Sequence, residues 1–96
     1  MSETIDSAVA ALNARMEGKS LDGTAKFVIE GEGAIMIDEN GARAGDDEAD
    51  VTMTADEDTF RAIMDGDLDP TAAFMSGKLS VDGDMGMAMK LGSVLS

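Results

Sequence analysis

The chain has no cysteine, histidine, tryptophan or tyrosine, one proline and three phenylalanines in 96 residues. Without Cys or His, disulfide staples, thiolate nucleophiles, imidazole bases and the usual zinc sites are excluded. Cations are also scarce: seven Lys and Arg stand against twenty Asp and Glu, a formal net charge of -13. A nucleic-acid partner is therefore not expected, because phosphate contacts need clustered Lys and Arg. The same charge opposes anionic membranes, but only over a Debye length of roughly 8 Å at physiological salt, so membrane contact is expected to be transient at most. No run approaches the roughly 18 apolar residues of a bilayer span. The N-terminal Met1-Ser2-Glu3-Thr4-Ile5-Asp6 has no basic segment of the secretory type, and Val94-Leu95-Ser96 is not a peroxisomal ending of the Ser-Lys-Leu type. A cytoplasmic location is the expectation. A chain of this length accommodates one domain, residues 1–96, with one core and a surface-to-volume ratio that makes a large internal cavity expensive.

What the sequence does contain is amphipathic pattern. From Ser2 to Glu17, Ile5, Ala8, Val9, Leu12 and Met16 recur at helical spacing, and Gly18 stops the helix. Thr24 to Ile29 and Ala34 to Asp38 read as strands around a Gly31-Glu32-Gly33 turn. Asn40-Gly41, two residues that accept positive φ, leads into the short stretch Ala42 to Gly45, so the first half reads as a meander. Asp50 to Thr54 alternates, with Val51 and Met53 on one face. Thr54 and Glu57 form a capping box for a helix carrying Phe60, Ile63 and Met64 and ending at Gly66. Asp69-Pro70 starts a short helix through Phe74 and Met75. Lys78 to Val81 reads as the last strand, and Asp84 caps a final helix, Met85 to Leu95. This order predicts an α+β domain, a largely antiparallel sheet of about five strands with helices on one face.

Motifs with catalytic or metal-binding connotations fail on inspection. Gly31-Glu32-Gly33 begins like a dinucleotide fingerprint, but Met36 stands at the third glycine and a strand follows, so it is a turn. Asp65, Asp67 and Asp69 imitate a calcium loop, yet Pro70 replaces its glycine and Ser76 its bidentate glutamate. Asp46-Asp47-Glu48 reads as a solvated acidic loop. No metal site and no cofactor are expected. With only Ser, Thr, Lys and carboxylates available and no base-bearing constellation, an enzyme is the weakest reading.

The final helix is different. Met85, Met87 and Met89, with Ala88, Leu91, Val94 and Leu95, make it apolar nearly all round, so it must be buried or face something apolar. Methionine is unbranched and polarizable and adapts to several apolar shapes. The preceding segment Ala73-Phe74-Met75-Ser76-Gly77-Lys78-Leu79, followed by Gly83-Asp84 and Ala88-Met89-Lys90-Leu91, resembles the closing segment of the sterol-transfer family, the sterol carrier proteins of type two. Ala49 to Thr54 with the helix to Gly66 resembles the same family's acidic strand and helix, and the likeness runs from about Thr24 to Leu95.

The resemblance implies a sterol-carrier-protein-like fold without catalytic machinery that binds and transfers an apolar lipid: fatty acid, fatty acyl-CoA, phospholipid or sterol-like. On the matching positions, Phe74, Met75, Leu79, Val81, Met85, Met89 and Leu91 become lining candidates, with Phe60, Ile63 and Met64 on the opposite wall. Lys78 and Lys90 are the only cations after Arg61, and either is a candidate to meet a head group at the mouth or an ordinary solvated lysine. Many relatives carry a large residue where this chain has Ala34. The alternative is a non-catalytic interaction module of the same fold with a filled core, pairing with a second copy or with an enzyme.

Overall fold

The computed structural model describes residues 3–18, 21 and 23–95, the side chains of Val94 and Leu95 excepted. The expected helical start at Ser2 and the apolar roles of Val94 and Leu95 lie outside the described residues. The element order is α1 (Glu3–Met16), β1 (Ala25–Ile29), β2 (Gly33–Asp38), β3 (Gly41–Ala44), β4 (Val51–Ala55), α2 (Glu57–Met64), α3 (Pro70–Met75), β5 (Ser80–Gly83) and α4 (Met85–Leu95). The strands form one five-stranded sheet in the order β3-β2-β1-β4-β5. β1, β2 and β3 are the expected antiparallel meander. β4 then crosses to the far side of β1 and pairs with it in parallel, and β5 returns antiparallel to β4.

Strand alternation sets which residues enter the core. The registers place Ala25, Phe27 and Ile29 beside Val51, Met53 and Ala55 on one side and beside Ile37 and Ile35 on the other. All of these are buried. α1 covers that face over β2 and β3, and α4 covers it over β1, β4 and β5. α1 inserts Ile5, Ala8, Leu12 and Met16, and α2 adds Phe60, Ile63 and Met64. Phe60 meets Phe27 edge to face at 4.8 Å between ring centroids, the arrangement that ring quadrupoles favour. On the opposite face Lys26, Val28, Thr52 and Thr54 are half-buried. Met36 on that face is nonetheless fully buried, with the Asp47 N–H 3.4 Å from its sulfur and Lys26 paired to Asp46 at 2.7 Å.

Three local expectations are corrected. The cap of α2 is Asp56, whose carboxylate accepts the Thr59 N–H at 2.7 Å, instead of the Thr54–Glu57 box. Pairing continues through Ala55, whose carbonyl accepts the Glu30 N–H at 2.9 Å, so the helix is capped only at Asp56, two residues after Thr54. At Asn40-Gly41 only the glycine has positive φ (+119°). Asn40 is held instead by the Asp38 carboxylate, which accepts its N–H at 2.9 Å. The last strand is Ser80–Gly83, two residues later than Lys78 to Val81, because the Lys78 and Leu79 N–H groups are taken by the Ala73 carbonyl at 2.9 and 3.2 Å.

Candidate functional site

The segment between α2 and α4 builds an apolar groove from short-range rules. Asp69 caps α3 by accepting the Thr71 N–H at 2.8 Å, and Pro70 at the first turn forgoes a hydrogen bond no helix could supply there. After two turns Gly77, at φ +80°, ends the helix: its N–H goes to the Phe74 carbonyl and that of Lys78 to Ala73. This paired arrangement satisfies carbonyls that the helix end would otherwise orphan. The reversal sends Ala73 and Leu79 into the core and leaves Phe74 and Met75 outside, 42% and 80% exposed.

α4 forms the facing wall. Asp84 accepts the Gly86 and Met87 N–H groups at 2.8 and 3.3 Å, fixing the start of the helix. Its apolar surface then divides into two stripes. Met87, Ala88 and Leu91 are buried against the sheet, whereas Met85 and Met89 are 48% and 75% exposed. Met85, Met89 and Gly92 follow one another at i, i+4 and i+7, so they share a face, and that face borders α3. Gly92 sits against the first turn of α3: a Cβ there would stand 3.9 Å from the Pro70 Cβ, an ordinary van der Waals contact.

Between them lies a groove of about 510 Å³, floored by Met53, Leu79 and Val81 and walled by Phe74, Met75, Met85, Ala88 and Met89. Its polar edge is Asp69, Thr71 and Ser93. The structure thus brings together six of the ten sequence candidates: Phe74, Met75, Leu79, Val81, Met85 and Met89. The other four, Phe60, Ile63, Met64 and Leu91, are buried in the core and do not line this groove. Met64 is also anchored from behind, its carbonyl accepting from the Arg15 guanidinium. The apolar lining residues Met53, Pro70, Ala88 and Gly92 and the polar edge of Asp69, Thr71 and Ser93 are not among the sequence candidates. The registered pairing of Met53 with Val81 puts it on the floor, a long-range fact that spacing within one segment does not carry. Neither Lys78 nor Lys90 lines the groove.

Among the described residues, the carboxyls of Asp38 and Asp56 are perturbed electrostatically, and both lie elsewhere. The Arg43 guanidinium, 2.6 Å away, and the Asn40 N–H hold the Asp38 carboxyl below its ordinary range. The Thr59 N–H and hydroxyl do the same for Asp56. Neither bears on the groove, and no group of three or more carboxylates among the described residues is placed to hold a metal ion.

A second hollow, of about 560 Å³, lies beside the β1–β2 turn. Ala34 lines it, so the small residue at that position opens this hollow and does not widen the groove between α3 and α4. Glu30, Glu32 and Asp46 stand on its wall and it lacks large flexible apolar side chains. The slightly smaller groove is therefore the better candidate for an apolar ligand.

Comparison with known proteins supplies independent findings. The profile of the SCP-2 sterol transfer family matches residues 4–96. The Hydroxysteroid dehydrogenase-like protein 2 of Xenopus laevis is 40% identical over 85 residues, covering 80% of this chain and 20% of that protein. The chain thus spans about a fifth of the length of that relative. Among solved structures, Sterol Carrier Protein 2 Like 2 from Aedes aegypti superposes with a TM-score of 0.79 at 22% identity, covering 95% of each chain. Sterol Carrier Protein-2 from Aedes aegypti, solved in complex with the C16 fatty acid palmitate, superposes with a TM-score of 0.78 at 25% identity over 100% of this chain and 97% of that one.

Proposed function

Because the chain belongs to the SCP-2 sterol transfer family, we propose that it binds an apolar lipid in the α3–α4 groove and passes it to an acceptor. The observation that carries this reading is the exposure of Phe74, Met75, Met85 and Met89 around one concavity, when a small domain ordinarily buries such side chains. The palmitate held by the Aedes aegypti relative supports an acyl chain as ligand class. The groove volume of about 510 Å³ lies within the roughly 300–1,000 Å³ of small-molecule sites.

A chain of about 16 methylenes offers on the order of 13 kcal/mol of transfer free energy at about 0.8 kcal/mol each. An open groove recovers part of that, and a membrane competes for the same chain. Binding is therefore broad in specificity and reversible, as delivery requires. Methionine walls suit this, since they repack around different apolar shapes. With no Lys or Arg on the groove wall, the head group points to solvent. The fold acts as a single binding domain, and the activity in the dehydrogenase-like relative's name is not carried to this chain. The location follows the sequence expectation, cytoplasmic.

Native mass spectrometry of the purified protein, followed by organic extraction, tests the reading. A stoichiometric lipid supports it. A clean apo mass that stays unchanged after incubation with fatty acids and acyl-CoA counts against it. The same exposed side chains favour the second reading, an interaction module: concentration-dependent self-association without lipid uptake is its signature.

A further inference from the structure

The nine methionines are not distributed alike. Among the described residues Met16, Met36, Met53, Met64 and Met87 are buried, and Met75, Met85 and Met89 are exposed. All three exposed methionines line the α3–α4 groove. Exposure governs the reaction of a thioether with peroxide, and the product converts a flexible apolar side chain into a polar one. We propose that Met75, Met85 and Met89 form an oxidation site at which hydrogen peroxide closes the groove to apolar ligands and a thiol-driven reductase reopens it. This inference rests on the ligand reading above.

The chemistry is self-contained once the oxidant is named. A lone pair on the methionine Sδ attacks one peroxide oxygen, an S–O bond forms and the O–O bond breaks. The departing hydroxide removes the proton from the transferred oxygen and leaves as water. Sulfur loses two electrons and the peroxide gains them. In the return step two thiols become a disulfide, the sulfoxide oxygen leaves as water and the thioether is restored. The chain has no cysteine to react with the peroxide first, so the thioethers are its most oxidisable groups. Buried sulfur is shielded, as for Met36 beneath Gly45 and Asp47.

The consequence follows from where the sulfurs stand. Each sulfoxide oxygen demands hydration, and an acyl chain laid in the groove would strip water from it without offering a hydrogen bond. With three such groups around one concavity, we expect apparent affinity for a fluorescent fatty acid to fall about tenfold or more.

The test uses the whole chain under limited hydrogen peroxide, with peptide mass spectrometry for the order of oxidation and fluorescent fatty-acid titration for uptake. The expected result is oxidation of Met75, Met85 and Met89 ahead of the buried methionines. Uptake falls in step with it and returns after treatment with both methionine sulfoxide reductases and a dithiol. In a Met75→Leu, Met85→Leu, Met89→Leu protein, whatever its own starting affinity, peroxide leaves the affinity unchanged. Uniform oxidation of all methionines, or uptake undiminished once the three are sulfoxides, overturns the inference while leaving the ligand reading standing. Native protein that takes up no fatty acid before oxidation overturns the ligand reading, and its proposed control with it; the order of oxidation then still reports whether the three sulfurs are the accessible ones.

Discussion

Leu91→Ala and Met89→Ala should differ sharply although the two residues stand only two positions apart on α4. Leu91 is wholly buried and Met89 is three-quarters exposed. Truncating Leu91 removes about three carbons, roughly 2.4 kcal/mol of transfer free energy at about 0.8 kcal/mol each, and the void left behind brings the loss to about 3–4 kcal/mol. Against a total stability of about 5–15 kcal/mol this is severe. In a domain of this size it lowers Tm by about 12–32 °C, at about 4–8 °C per kcal/mol. Met89→Ala opens no void and should stay within about 0.5 kcal/mol. Alanine is the best helix former and leucine and methionine are close behind, so propensity shifts both variants alike. With no tryptophan to report tertiary structure, far-UV circular dichroism during thermal and urea unfolding is the assay. Equal losses at both positions would mean that α4 is buried on both stripes and has no groove face, and the reasoning would fail.

Gly83→Ala should destabilise by about 1–3 kcal/mol from backbone strain alone, since Gly83 sits at φ +112° and a Cβ there would come within 2.5 Å of the Asp50 carbonyl oxygen; urea titration reads the loss, and an unchanged midpoint would show that β5 does not pair as described. Asp38 and Asp56 have lowered carboxyl pKa values, so the stability they contribute is fully present above the ordinary carboxylate value of about 3.9 and is lost as pH falls through their lower folded values. Asp38→Asn should therefore show a shallower decline of Tm below about pH 4 than the parent chain, and parallel curves would refute the Arg43 and Asn40 contacts as the cause. Met89→Glu should abolish uptake of a fluorescent fatty acid at neutral pH while leaving the fold intact, because an ionised carboxylate on the groove wall cannot be desolvated without a partner; retained uptake by the folded variant would move the site elsewhere.

Much of this was legible because short-range rules decide it. Asp69-Pro70, Gly66, Gly77 and Asp84 announce helix ends by capping chemistry, and α4 runs over the residues its pattern predicted, Met85 to Leu95. The alternation of Val51 and Met53 gave their face correctly. What escaped depends on contacts between distant segments. Nothing within β4 says that it will lie parallel to β1 instead of following β3. The Thr54–Glu57 box obeys the capping rule, but ladder pairing at Ala55 overrides it. Lys78 and Leu79 look like strand residues, yet they are used to close α3. α4 is apolar nearly all round, so periodicity could not tell Leu91, which enters the core, from Met89, which faces the groove. For the same reason Phe60, Ile63 and Met64 read as groove candidates although α2 delivers them to the core, while Met53 on the floor was passed over.

The central claim is that an apolar ligand lies between α3 and α4, and the methionine methyl groups can report it directly. Titrating methyl-labelled protein with palmitate, followed by NMR, should shift Met75, Met85 and Met89, and Met53 beneath them, while Met16 and Met36 stay in place. Saturable binding that moves Met16 or Met36 and leaves the three groove methionines unshifted would contradict the account.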